Sequence, residues 1–235
     1  MQEFNQRSCY ARLYENAIST NRPGNTMDSS IVVQKPAHAP QQLVLFFHGV
    51  GSNAQDLVPV AEQFAKALPN ALIVSLDGPQ QSDFGAGRQW FSVAGVTEDS
   101  RPARVEAAMP AFQATVQKWQ ALAGVTAEKT ILVGFSQGAI MSLESTQRPT
   151  VLAGQVISFS GRFATQPKVA QAGTTINLIH GEADPVIAAS HSRAAANHLQ
   201  ALGAKVSVDI VPGMGHGIDK QMLSIALKRL DLPKS

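Results

Sequence analysis

The chain has 235 residues, 44% of them hydrophobic and 15% charged, enough apolar content for a sizeable core in what length alone suggests is a single domain. A formal net charge of +2 is too small to argue for nucleic acid or an anionic membrane as partner, and no run of like charges forms a tail. The single cysteine, Cys9, excludes an internal disulfide and any cysteine-based zinc site.

No apolar run approaches the roughly 18–20 residues needed to cross a bilayer. The first residues lead into no hydrophobic segment of a secretory signal, so a cytoplasmic location without membrane insertion is expected. Residues 1–26 are polar and irregular and end in the breaker cluster Asn21-Arg22-Pro23-Gly24-Asn25-Thr26. They read as an N-terminal arm prone to disorder, with Met27 as the expected true start and 27–235 as one α/β domain.

Ile31-Val32-Val33 reads as a short strand closed by Pro36. Leu43-Val44-Leu45-Phe46-Phe47 is a continuous apolar run. A run without alternation predicts a strand buried on both faces, as in a parallel sheet covered by helices. It leads into His48-Gly49-Val50-Gly51-Ser52, after which Asn53 or Asp56 can cap a helix. Leu57, Val60, Ala61, Phe64 and Leu68 then recur at helical spacing. Ala71–Leu76 is a second buried strand. From Asp77 to about Arg101 the chain is a long loop rich in Gly, Ser and Gln with Trp90-Phe91 at its middle, and loops of such length are usually functional. The helix that follows shows Val105, Met109, Phe112, Val116 and Trp119 on one face, and Pro110 predicts a kink or a late start.

Thr130–Val133, Gln155–Phe159, Ile176–Ile179 and Val206–Val211 read as further strands, with helices over 139–144, 188–202 and 218–230. Strands alternate with helices throughout, which predicts an α/β fold with a mostly parallel central sheet and helices on both faces. Ligands in such folds bind beyond the carboxyl ends of the strands, so function is expected in the loops 48–53, 77–101, 134–138, 160–166, 180–187 and 212–217.

One of these loops carries chemistry. Gly134-Phe135-Ser136-Gln137-Gly138 joins a strand to a helix, the context of a nucleophile elbow, where the turn is so tight that side chains at the glycine positions would strike backbone. The competing reading is a chance match in an ordinary turn. A serine hydroxyl needs a histidine base, and the base needs a carboxylate to fix its tautomer. In the order Ser, acid, His, Asp184 and His216 both follow strands, and glycines flank His216. Glu182 is the rival acid, and a plain turn residue before Pro185 is the structural alternative for Asp184. His191 and His198 fall in a predicted helix, His38 precedes the first core strand, and His48 and His180 read as makers of structural hydrogen bonds. Asp209 lies within a strand, and Asp219 follows His216 too closely to orient it. The oxyanion hole is expected from the backbone amides of Gln137 and Val50, whose side chains should matter less. Trp90, Phe91, Val186 and Ile187 are candidates for an apolar acyl pocket, with core packing as the alternative for each.

The segments His48-Gly49-Val50-Gly51, Gly134–Gly138, His180-Gly181-Glu182-Ala183-Asp184-Pro185-Val186 and Gly215-His216 together resemble the acyl-protein thioesterase/carboxylesterase family of small α/β hydrolases over residues 31 to 232. Phe135 and Gln137 inside the elbow and the Trp90-Phe91 pair add to the resemblance, while the rest of the 77–101 loop departs from the eukaryotic thioesterases. It implies the α/β-hydrolase fold without a large cap domain, no metal and no cofactor, and serine hydrolysis of carboxylic esters through an acyl-enzyme. The expected partner is a small or short-acyl ester, and the chain a monomer or homodimer. A thioesterase or lysophospholipase with the same triad is the alternative of like chemistry. A binding protein that kept the fold and lost catalysis is the alternative of another class.

Overall fold

The computed structural model describes residues 30–230; the expected arm over 1–26 and the start at Met27 lie outside them. Seven strands form one sheet in the order β1-β3-β2-β6-β7-β8-β9. These are β1 (Ile31–Gln34), β2 (Gln42–Phe47), β3 (Ala71–Leu76), β6 (Thr130–Phe135), β7 (Gln155–Phe159), β8 (Thr175–Gly181) and β9 (Lys205–Val211). All neighbours pair in parallel except β1, which runs antiparallel to β3 along the edge. The short β4 (Gln80–Gln81) and β5 (Arg88–Gln89) pair with each other inside the long loop.

The continuous apolar runs are strands buried on both faces. Leu43, Val44, Leu45, Phe46 and Phe47 are all fully buried. Leu43, Leu45 and Phe47 face one layer of helices, namely α2 (Arg101–Ala123), α3 (Gln137–Ser145) and α4 (Ser190–Ala201). Val44 and Phe46 face α1 (Val58–Ala67) and α5 (Lys220–Lys228) on the other side. Val105, Met109, Phe112, Val116 and Trp119 form the buried face of α2, as their spacing predicts. That helix starts at Arg101 and runs through Pro110 to Ala123, so the late start is excluded. Asn53, not Asp56, is the cap: its side chain accepts from the amide of Gln55 at the start of a 3-10 turn over Ala54–Leu57 that leads into α1. The fold is thus the α/β-hydrolase fold. No helix among the described residues is long and apolar enough to cross a membrane.

The sheet order fixes where a ligand can sit. From β2 the chain moves outward to β3, and from β6 it moves the other way to β7. The loops after β2 and β6 therefore diverge, and a crevice opens at the carboxyl ends of these two adjacent strands. His48–Ser52 follows one of them and Ser136 the other.

All nine residues of α3 are buried, including the carboxyl of Glu144. Its Oε1 accepts from the amides of Ala164 and Thr165 at 2.6 and 3.2 Å. Burial nonetheless pushes the carboxyl above the usual range. A folded-state value raised above the unfolded one means that the stability linked to this group is present at low pH and lost as pH rises through the folded value. Glu144→Gln keeps the acceptor and removes the charge. Its urea midpoint at pH 8 is expected to match or exceed that of the native chain, with the advantage shrinking towards pH 5. An advantage independent of pH would contradict this account.

Candidate active site

The elbow is built by contacts that leave no room for side chains. A Cβ on Gly138 would lie 2.1 Å from the carbonyl oxygen of Phe47, and one on Gly134 would lie 2.4 Å from Cα of Ala139. The first turn of α3 therefore rests directly on the ends of β2 and β6. Ser136 between them has φ 51° and ψ −113°, a region that costs a non-glycine residue about 1–3 kcal/mol. The amide of Ser136 donates to Phe159 at 3.0 Å, and that of Gly138 donates to His48 at 3.1 Å. The strained turn is thereby tied to the strands on both sides.

Two further loops bring their side chains to Ser136. β8 and β9 remain paired up to Gly181 opposite Val211, and the chain leaves both as loops. A Cβ on Gly181 would lie 2.4 Å from the carbonyl oxygens of both Met214 and Gly215, so only glycine lets the histidine loop fold across the acid loop. The amide of Ala183 donates to Met214 at 2.9 Å across the same junction. His216 then places Nε2 3.0 Å from Oγ of Ser136 and Nδ1 2.7 Å from Oδ2 of Asp184. Its ring packs on Phe135 with centroids 5.1 Å apart.

Asp184 sits in a turn that it closes itself. Its Oδ1 accepts from the amides of Val186 and Ile187 at 2.8 and 2.9 Å, and its side chain is fully buried. Burial opposes ionisation, but the hydrogen bond from His216 and those two amides outweigh it and hold the carboxyl below its usual range. An ionised Asp184 only accepts, so Nδ1 of His216 carries the proton and the Nε2 lone pair faces the serine hydroxyl. Among the rivals, Glu182 is more than half exposed and points to Arg193 at 3.9 Å. Asp219 caps α5 by accepting from the amide of Met222, and Asp209 pairs with Arg229.

The loop after β2 lies against the elbow. A Cβ on Gly49 would stand 3.2 Å from both Cβ of Ser136 and Cδ1 of Phe135. Neither the Val50 nor the Gln137 amide donates to a protein acceptor among the described residues. They are two free N–H groups, one on the loop after β2 and one at the first residue of α3, beside the serine.

The long 77–101 loop is a brace. The amide of Gly51 donates to Arg88, and that of Arg88 donates to Ser52. The carboxylate of Asp83 collects the hydroxyl of Ser92 and the amides of Val93 and Ala94. The indole of Trp90 donates to the carbonyl of His48 at 2.9 Å, the same carbonyl that Gly138 reaches. Trp90 and Phe91 are 3% and 2% exposed and pack in the core with Phe47 and Phe112. Of the two readings of this pair, wall of an acyl pocket or core packing, the packing is what these contacts describe. Ile187 packs partly against the same core, whereas Val186 stands 67% exposed beside Asp184.

The side chain of Gln137, expected to matter little, is 3% exposed. Its Oε1 accepts from the amide of Trp90 at 2.8 Å and its Nε2 donates to the carbonyl of Phe91 at 2.7 Å. No local pattern signals a clamp between residues 46 and 47 positions apart; only its place inside the elbow beside an isolated aromatic pair hints at it. His48 is fully buried, donates from Nδ1 to the carbonyl of Gly49 and accepts at Nε2 from the amide of Gly78. Burial lowers its pKa and keeps the ring neutral. No group of three or more His, Cys, Asp and Glu suited to a metal ion occurs among the described residues. A cavity of about 750 Å³ lies between α1 and α5, lined by residues such as Val60, Leu223 and Leu227 and by none of the candidate site residues.

With the geometry in place, comparisons with known proteins agree on its kind. The family model described as phospholipase/carboxylesterase matches residues 28–233. The chain is 50% identical to esterase YpfH of Escherichia coli (strain K12) over 199 residues, 85% of this chain and 86% of that protein. It is 25% identical to acyl-protein thioesterase 1 homolog 1 of Dictyostelium discoideum, over 86% of this chain and 96% of that one. The crystal structure of esterase PE8 superposes with a TM-score of 0.76 at 29% identity, covering 86% of this chain and 95% of that one. The Bacillus cereus carboxylesterase reaches a TM-score of 0.74 over 92% of this chain and 96% of that one, and at 16% identity speaks for the fold alone.

The clamp can be tested apart from chemistry. Gln137→Ala leaves the Trp90 amide and Phe91 carbonyl buried without partners, which is expected to cost about 2–4 kcal/mol of unfolding free energy. Urea denaturation followed by tryptophan fluorescence measures it. A native midpoint in the variant would show that the brace does not depend on this side chain.

Proposed function

Because this chain belongs to the phospholipase/carboxylesterase family and is a carboxylesterase-type serine hydrolase, we propose that it cleaves small or short-acyl carboxylic esters through Ser136, His216 and Asp184. The observation that carries this reading is the unbroken chain from Oγ of Ser136 to Nε2 of His216 at 3.0 Å and from Nδ1 of His216 to Asp184 at 2.7 Å. Ser136 attacks the acyl carbonyl as its proton passes to Nε2 of His216. Asp184, kept ionised, stabilises the imidazolium that results. The tetrahedral oxyanion rests on the amides of Gln137 and Val50, each worth about 3–4 kcal/mol of barrier in related chemistry. His216 then protonates the leaving alcohol, and water repeats the sequence to release the acid.

Only 7% of Ser136 and 17% of the His216 side chain are exposed, so both sit below the surface. With Trp90 and Phe91 committed to the core, Val186 at the rim is the candidate for acyl contact, and this supports a preference for small acyl groups. A thioester substrate is the second reading. It is supported by the relatives named acyl-protein thioesterases, and the same serine chemistry serves either leaving group.

Hydrolysis of p-nitrophenyl esters from acetate to laurate tests this. Turnover is expected to be highest on short chains and to fall by at least about 10³-fold in Ser136→Ala. Activity confined to long chains would replace the short-acyl reading with the lysophospholipase or thioesterase one. Equal rates in both proteins would remove Ser136 from its role.

A further inference from the structure

Among the buried titratable groups that this chemistry leaves unused, His180 is the most tightly held. It lies on β8, fully buried, four residues before Asp184. Its Nε2 is 2.8 Å from the carbonyl of Ile187 and 3.2 Å from Oδ2 of Asp184. That is the same oxygen that His216 reaches at 2.7 Å. Its Nδ1 is 2.8 Å from Oγ of Ser192 on α4. A carbonyl and an ionised carboxylate both accept, so the proton of His180 sits on Nε2 and the hydroxyl of Ser192 donates to Nδ1. Burial, against the pull of Ile187 and Asp184, holds the ring in its neutral form.

We propose that His180 is a positioning residue for the catalytic acid, acting through a hydrogen bond to the carboxylate oxygen that orients His216. The proposal rests on the serine hydrolase reading above. The one Nε2 proton of His180 is shared between the carbonyl of Ile187 at 2.8 Å and Oδ2 of Asp184 at 3.2 Å, while the amide of Ile187 donates to Oδ1 of Asp184. Within this closed ring the carboxylate cannot turn about its own axis without breaking a bond. The same donor divides the charge on Oδ2 between two imidazoles. Removing that donor leaves the charge on Oδ2 to His216 alone, so the pH dependence of turnover reports whether His180 makes this bond. The titratable groups around His180 are Asp184 and His216 on the loops and His191 on α4. His191 itself faces Arg162.

The test is kcat and kcat/KM against pH on a p-nitrophenyl ester, with the whole chain. His180→Leu removes the donor. His180→Asn also removes it, because its amide reaches only as far as Nδ1 and still meets Ser192. His180→Gln restores a donor near the position of Nε2. In the Leu and Asn variants kcat is expected to fall about tenfold, the worth of one hydrogen bond to a charged group. KM should stay within about twofold, and the acid limb of the profile should move to higher pH by about half a unit or more. The Gln variant should recover both. Should the Leu variant fail to fold, Asn carries the comparison. An unmoved acid limb in folded His180→Asn overturns the proposal, whatever the fall in activity, since loss of packing alone would not displace it. Ser136→Ala separates the two readings: turnover there sinks the serine mechanism, whereas an inactive Ser136→Ala beside an unmoved limb in His180→Asn sinks only the role of His180.

Discussion

The whole arrangement depends on the contact of α3 with the ends of β2 and β6. With Gly138 against the carbonyl of Phe47 and Gly134 against Ala139, no side chain separates helix from sheet. This closeness holds Ser136 in its positive-φ conformation and leaves the amide of Gln137, the first of the helix, without a protein acceptor among the described residues. A wider spacing would relax the serine and move the amide away together, because one turn of backbone carries both. The strain at Ser136 is offset by burial of the entire helix beneath it.

The remaining loops are arranged around that contact by shared acceptors. The carbonyl of His48 receives both the amide of Gly138 and the indole of Trp90, so elbow, glycine loop and long loop meet at one oxygen. Oδ2 of Asp184 likewise receives both His216 and His180. Each shared acceptor couples parts of the chain far apart in sequence. Neutral buried histidines suit this role, since each offers one donor and one acceptor, and burial keeps His48 and His180 in that form.

Much of this was legible in the sequence where the cause is local. Leu43–Phe47 and Ala71–Leu76 had to be two-sided strands because no polar face interrupts them. Ser136, Asp184 and His216 stand out as candidates by motif, order and the strand each follows, and the fold brings the three within hydrogen-bond reach. What was illegible is what the tertiary fold decides. Asp184, and not Glu182, reaches His216 because its own turn offers two amides to Oδ1, while Glu182 is more than half exposed beside Arg193. The two-residue ladder of β4 and β5 has no apolar pattern to announce it. An aromatic pair in a polar loop looks like a ligand wall, yet Trp90 packs edge-on against both Phe47 and Phe112, and Phe91 is buried in the same core. Gln137 looked like an amide donor alone because its side-chain partners lie 47 and 46 positions back along the chain.

The brace also bears on how specificity is divided along the chain. A loop that both braces the elbow and contacts a ligand cannot change one role without disturbing the other. Here the 77–101 loop is tied to Gly51, Ser52, His48 and Gln137, so its middle is fixed by these bonds. Freedom to vary is left to positions that bear no such bonds through their side chains, with Val186 the clearest, exposed at the rim although its amide holds Asp184. A side chain there can change shape and size while its backbone continues to serve the acid. The bonds that hold Asp184 are in this way independent of the side chain at position 186.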